Sequence, residues 1–197
     1  MHDRFASYLS QLPEETAHGL CNAHLLRNLE EIVELEQAPD GWAARMQRLL
    51  LKARDTAAYW CDTTGGPVPE PLREQTAAAW DTLLAPVLDH YESLPPPARG
   101  RRRGHNLALA LWELRDACLL FMADPAVPFT NNRAERALRM AKLQMKISGG
   151  FRTRAGAERF ARMRGLVETA RKQGHNLLDL LRQDPDAPTP QPNPVPL

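Results

Sequence analysis

The chain has 197 residues, 43% of them hydrophobic, and its 25 Lys or Arg nearly balance its 24 Asp or Glu to leave a net charge of +1. This composition is ordinary for a globular protein with one good core. The absence of any run of about 18 apolar residues excludes a membrane-spanning helix. No signal peptide is visible either, because Met1-His2-Asp3-Arg4 leads into a mixed polar stretch. The cysteines Cys21, Cys61 and Cys118 are widely spaced and odd in number, so they read as reduced thiols of a cytosolic protein and not as a disulfide framework.

At the start of the chain, Phe5, Tyr8, Leu9 and Leu12 can line one face of a short helix, which Pro13 ends by lacking an N–H and clashing with the preceding turn. His18-Gly19-Leu20-Cys21 reads as a short strand. A chain that opens inside an element is expected to be a piece of something longer; the alternative is a complete small helical protein that begins in a loop. Residues 22–37 are predicted as a helix, with Leu25, Leu26, Leu29, Ile32 and Val33 opposite Glu30, Glu31 and Glu34. Cys21 and His24 have the spacing of half a zinc site, but structural zinc needs four ligands and no second pair stands at suitable spacing.

A second helix is expected over 41–62, with Trp42, Met46, Leu49, Leu50, Ala53, Ala57 and Trp60 inward, broken by Gly65-Gly66-Pro67-Val68-Pro69. A third spans 71–92, carrying Leu72, Ala79, Trp80, Leu83, Leu84, Val87, Leu88 and Tyr91, and Pro95-Pro96-Pro97 stops it. Arg99-Gly100-Arg101-Arg102-Arg103-Gly104 follows as a basic loop, either solubilising or in contact with a phosphate backbone. A fourth helix is predicted over 106–122, capped by Asn106, with Leu107, Leu111, Leu114, Cys118 and Phe121 inward. Asp124-Pro125 ends it.

The most informative stretch comes next: Pro128-Phe129-Thr130-Asn131-Asn132-Arg133-Ala134-Glu135-Arg136-Ala137-Leu138-Arg139. It reads as the start of a helix capped by Asn131 or Asn132. Helical spacing from Glu135 brings Arg139, Lys142 and Lys146 to the same face. Beside them Ala134, Leu138, Ala141 and Met145 form an apolar stripe that would dock the helix on a core, with Leu143 and Ile147 on the other flank. Glu135 has a plain reading, since with Asn132 as N-cap it would close a capping box.

The surrounding charge argues for more. Between Asn131 and Lys172 stand twelve Lys or Arg and three acids, a net +9, so the rest of the chain is at −8. Basic segments of this density usually meet phosphate. Ser148-Gly149-Gly150-Phe151 reads as a turn whose N–H groups, near Arg152 and Arg154, can hold a phosphate. Residues 155–173 form a predicted helix with Phe160, Met163, Val167 and Ala170 inward, closed by Arg171-Lys172 and by Gly174 at C′. Asn176 caps a short last helix bearing Leu177, Leu178, Leu180 and Leu181. From Asp184 onward the Pro-rich sequence reads as a disordered or polyproline tail.

Three separated motifs carry a resemblance. Phe129-Thr130-Asn131-Asn132-Arg133-Ala134-Glu135-Arg136, then Lys146-Ile147-Ser148-Gly149-Gly150-Phe151-Arg152, then Glu168-Thr169-Ala170-Arg171-Lys172-Gln173-Gly174 together resemble the C-terminal part of the insertion-sequence-66 (IS66) family of DDE transposases. The likeness extends to Cys21-Asn22-Ala23-His24-Leu25-Leu26-Arg27 and to His2-Asp3-Arg4-Phe5 with Tyr8. It implies that Asp3 and Glu135 are the second and third catalytic acids and metal ligands. The first Asp has no counterpart in this sequence. The implied fold is mainly α, a C-terminal remnant of a ribonuclease H-like α/β core with a large helical insert and few or no strands. Its expected divisions are 1–21 (end of the core), 22–127 (insert that bends back so the two acids can meet), 128–183 (catalytic helix and basic helices) and 184–197 (tail).

The implied chemistry is DNA cleavage and strand transfer with two Mg²⁺ ions, about 3.5–4 Å apart in sites of this kind, held by carboxylate oxygens. Arg133, Arg136, Arg139, Lys142, Lys146, Arg152, Arg154, Arg171 and Lys172 are the expected DNA contacts. The implied partners are transposon ends and target DNA, with full-length transposase or a second copy as further candidates, no membrane, and a bacterial cytoplasmic, nucleoid-associated location. With one acid missing, little or no cleavage by the chain alone is expected. The competing readings are a non-catalytic basic helical nucleic-acid-binding protein derived from a transposable element, and a helical interaction module with a basic surface.

Overall fold

Apolar residues at spacings of three and four become eight α-helices among the described residues of the computed structural model. Those residues are 17–182, without the side chains of residues 133–135, 137, 138, 141, 180 and 181. The chain divides into two units, Met1–Asn131 and Asn132–Leu197. The expected helix of Phe5, Tyr8, Leu9 and Leu12 and the Pro-rich tail lie outside the described residues. No strand is present among the described residues, and His18–Cys21 contributes only a single bridging position at Leu20.

In the first unit, α1 (Asn22–Glu36), α2 (Trp42–Thr64), α3 (Glu70–Ser93), α4 (Arg103–Glu113) and α5 (Arg115–Ala123) share one core. Leu25, Leu29 and Ile32 of α1 meet Trp42, Met46 and Leu50 of α2, Trp80 and Leu84 of α3, and Leu107 and Leu111 of α4. These are the inward faces the periodicity predicted, except that Leu72 and Ala79 of α3 are exposed because the core cluster takes up that helix only from Trp80 onward. A smaller cluster gathers Ala53, Val68, Phe121 and Met122. It is tied by the Val68 N–H to the Met122 carbonyl at 2.9 Å.

The predicted single helix over 106–122 is corrected in two respects. It starts three residues earlier, at Arg103, and it breaks at Leu114, where the backbone leaves the helical region (φ −108°, ψ 21°). The fully buried Trp80 supplies the reason. Its indole N–H donates to the Leu111 carbonyl at 3.0 Å, the acceptor that Arg115 N–H would use in an unbroken helix. A side chain inserted into the ladder of backbone bonds is a recognised cause of such breaks. Bonds on either side survive, from Leu114 N–H to Ala110 O and from Cys118 N–H to Leu114 O.

In the second unit, α6 (Asn132–Ser148) is followed by α7 (Arg154–Lys172) and α8 (Leu177–Arg182). Between α6 and α7, Gly149 and Gly150 adopt φ of 67° and 119°, values that L side chains avoid, so the Ser-Gly-Gly turn expected from sequence is built as its residue types require. Thr153 caps α7 through its hydroxyl, which accepts the Gly156 N–H at 3.1 Å. The end of α7 also matches expectation, with Gln173 as C-cap and Gly174 at φ 72° behind it. Asn176 Oδ1 accepts the Leu178 N–H at 3.0 Å and so caps α8.

Candidate nucleic-acid interface

The path to the key helix is fastened inside the first unit. Phe129 sets its ring edge-on to Phe121 with centroids 5.0 Å apart. Its carbonyl accepts the Asn22 N–H at 3.1 Å. The Cys21 sulfur accepts the Asn131 N–H at 3.3 Å, and the Asn22 side-chain amide donates to the Cys118 carbonyl at 3.0 Å. Leu20 N–H adds a bond to Ala117 O. Thus the Cys21-Asn22 pair, at the N-cap and first residue of α1, holds both α5 and the last residues before α6. Segment 128–131, grouped by sequence with the basic helices, sits in the first unit. Asn22 received no role from sequence; a polar side chain amid apolar helix positions was the available signal, and its contacts 96 residues away were not readable.

Cys21 is buried with its sulfur against a backbone N–H. Among the described residues no group of three or more His, Cys, Asp or Glu is arranged to hold a metal.

Helix α6 starts at Asn132, which puts Asn131 in the cap position and Glu135 at the fourth helical position, one step past the register of a capping box. Asn131 Oδ1 is buried and has no hydrogen-bond partner among the described residues. Asp3 lies outside the described residues. Glu135 lies on α6, with its side chain outside the description, as is that of Arg133.

The other predicted DNA contacts lie where cations can be met. Arg136, Arg139, Lys142, Lys146, Arg152, Arg154, Arg171 and Lys172 are all exposed, and so are Arg159 and Arg162. Two of the predicted contacts are partly neutralised. Arg154 pairs with Glu158 at 3.0 Å and Arg171 with Glu168 at 3.7 Å. Glu168 is also held by Arg164 at 2.9 Å. Arg136, Arg139, Lys142, Lys146, Arg152, Arg159, Arg162 and Lys172 have no carboxylate partner among the described residues.

The apolar flank of α6 differs from expectation. Met140, Leu143, Met145 and Ile147 are exposed, Ile147 at 74%. On α7, Met163 is exposed too, and Ala170 alone of the four predicted inward residues is buried. Phe160 meets Phe151 of the Gly-Gly turn at 5.2 Å between centroids. The periodicity was read correctly as helical, but it does not report which apolar face finds a partner.

For this helical chain with its exposed cations, the comparison with protein families gives the class as transposase. A family model described as "Transposase IS66 family" matches residues 1–159. The chain belongs to that family. No curated protein and no solved structure matches it. No helix among the described residues is long and apolar enough to cross a membrane.

Proposed function

We propose that this chain is the part of an IS66-family transposase that grips DNA phosphates through α6, the Gly149-Gly150 turn and α7, and that supplies Glu135, together with Asp3, to the strand-transfer site. The observation that carries this reading is the set of exposed cations on α6 and α7 without carboxylate partners among the described residues. A solvated helix face would interleave acids with bases; here the three acids of the span face twelve bases.

The residues have separable tasks. Arg139, Lys142 and Lys146 recur at spacings of three and four along α6 after Glu135, so they form a stripe that can follow a phosphate backbone. Arg152 adds a cation beside the turn. Glu135 is one of the three carboxylates in this cationic span. Family membership implies Mg²⁺, and the donors fit by chemistry, since Mg²⁺ prefers carboxylate oxygen and retains several waters. Bound Mg²⁺ would supply activation of the attacking oxygen and stabilisation of the leaving 3′ oxygen in an in-line displacement. Asp3 and Glu135 would hold the metal, and the Arg and Lys stripe would orient the phosphodiester.

The test is duplex binding by the 197-residue chain across a salt series. Each phosphate contact contributes a slope of about −0.9 in log K against log salt. A steep slope that weakens in an Arg139→Ser, Lys142→Ser, Lys146→Ser variant supports the reading, and salt-independent affinity refutes it. Glu135→Gln should leave binding intact. Because the chain carries two of the three acids, Mg²⁺-dependent cutting should be little or none; robust cutting abolished by Glu135→Gln would overturn that expectation.

A further inference from the structure

The first unit is acidic, with 12 Lys or Arg against 18 Asp or Glu. Four of those twelve cations fall within five residues, Arg99, Arg101, Arg102 and Arg103. No acid occurs from Ser93 to Trp112, and none of the four guanidiniums has a carboxylate partner among the described residues. Arg99, Arg101 and Arg103 are exposed, while Arg102 is partly buried.

The loop is fixed at its base. Arg102 donates to the Pro95 carbonyl at 2.9 Å, which closes the loop on itself. Gly104 then lies against the hydroxyl end of Tyr91. A Cβ at this position would stand 2.6 Å from Glu36 Oε1 and 2.8 Å from Tyr91 Cζ, so only glycine lets the backbone approach this closely. Tyr91 donates to Glu36 and accepts from the Trp42 indole at 3.2 Å. Next to Gly104, His105 stacks on Tyr91 with centroids 5.3 Å apart and planes 8° apart. Four helices therefore meet under the arginines.

The charge is placed against helix stability. Arg103 opens α4, whose first turn has no acid and whose N-cap Arg102 makes no side-chain capping bond. Cations at a helix N-terminus oppose the dipole, whereas anions there are favoured. A loop needed only for solubility gains nothing from that position. The aromatic and apolar anchors typical of a protein interface are missing between Arg99 and Gly104.

We infer that Arg99, Arg101 and Arg103 form a second phosphate-backbone contact, on the first unit, that binds duplex DNA without base specificity. The inference rests on the DNA-binding reading above and assigns to the helical unit a grip that the family match does not mention. It needs no base-edge contact, because guanidiniums on a fixed loop neutralise phosphates wherever the duplex is laid.

The experiment uses the full 197-residue chain and a fluorescent duplex from low to moderate salt. Three proteins are compared: wild type, Arg99→Ser/Arg101→Ser/Arg103→Ser, and the second-unit variant Arg139→Ser/Lys142→Ser/Lys146→Ser. Urea unfolding confirms that the exposed loop substitutions leave the fold unchanged. The loop variant is expected to lose about two to three units of salt slope, and affinity by about tenfold or more at physiological salt. A triple Arg→Lys loop variant should keep most of the slope. A loop variant with wild-type slope and affinity overturns the inference while the second-unit reading stands. A second-unit variant that keeps its slope overturns that reading while the loop stands. A wild-type chain that does not bind duplex overturns both. Competition by polyglutamate as effective as duplex at equal charge assigns the loop to an acidic protein and also overturns the inference.

Discussion

Asn22→Asp tests whether the Cys21-Asn22 fastening is as central as its contacts suggest. Asn22 is fully buried at 0% exposure, its amide donates to the Cys118 carbonyl at 3.0 Å, and its Oδ1 has no hydrogen-bond partner among the described residues. An ionised Asp there replaces the donor with a lone pair aimed at a carbonyl, and it buries a charge in the core. Loss of the bond alone costs about 1–3 kcal/mol, the range expected for Asn22→Ala. Burial raises a carboxyl pKa by up to about 3–5 units. At about 1.4 kcal/mol per unit, a three-unit rise adds about 4 kcal/mol at neutral pH. Against a total of about 5–15 kcal/mol for a domain, this variant should be the least stable of the pair by a wide margin.

The sign of the pH dependence separates charge from shape. The folded pKa of the introduced carboxyl lies above its unfolded value of about 3.9. The stability of its neutral form is therefore fully present below about pH 3.9 and is lost as pH rises through the folded pKa. Urea unfolding followed by far-UV circular dichroism, for wild type, Asn22→Ala and Asn22→Asp at pH 4 and pH 7, gives the comparison. The Asp-to-Ala gap should be wide at pH 7 and nearly closed at pH 4. A gap that does not change with pH, or an Asp variant as stable as wild type at pH 7, would refute the account of Asn22 as an amide donor in a closed core.

Three further outcomes follow from the same structure. Trp80→Phe keeps an aromatic ring in the core but loses the bond to the Leu111 carbonyl, so it should cost about 1–3 kcal/mol in urea unfolding and raise helix content near Leu114 in amide-exchange protection; unchanged exchange at Arg115 would count against the wedge. Burial, and then the hydrogen bond to Glu36, push the Tyr91 phenol well above its usual range. Its neutral-form stability is whole below about pH 10 and falls as pH rises above it, so wild type should lose more stability than Tyr91→Phe between pH 9 and 11, and equal losses would contradict the network. Arg115 bridges to Asp116 on its own helix and to Asp81 on α3, and these contacts raise its pKa, with the Asp116 bond the larger cause. Because the pair is partly exposed, Arg115→Met should cost no more than about 1 kcal/mol by thermal unfolding; a loss of several would mean that the bridge is shielded from water.

The sequence was most legible where a pattern is local. The inward faces of α1 to α3, the Gly149-Gly150 turn, the Gly174 stop and the Asn176 cap follow from residue type and spacing, because each is settled within a few residues. The break at Leu114 was illegible because its cause, Trp80, lies 31 residues away and acts through one carbonyl. The same holds for Asn22, whose partners Cys118 and Phe129 are brought near only by the fold. On the site, exposed cations were legible as charge density, but the ion pairs of Arg154 and Arg171 with Glu158 and Glu168 depend on rotamers that spacing permits without requiring. The exposure of Met140, Leu143, Met145 and Ile147 was illegible for a different reason: periodicity records an apolar face, and burial depends on what lies opposite it.

These particulars point to a division of labour between the two units. The first keeps its buried Trp, Leu and Met side chains around bonds that join distant segments, such as Leu20 to Ala117, Asn22 to Cys118 and Val68 to Met122. Its net charge is −6, and four of its twelve Lys and Arg lie in the arginine loop. The second unit has the opposite balance, at +7, and Ala170 is its buried hydrophobic among the described residues. Its exposed Arg and Lys lie outside any buried cluster among the described residues, so their substitution should alter binding while barely moving the unfolding of the first unit. Changes at Asn22, Trp80 or Tyr91 should do the reverse. That separation lets the DNA-binding reading be tested without confusing a lost contact with a lost fold.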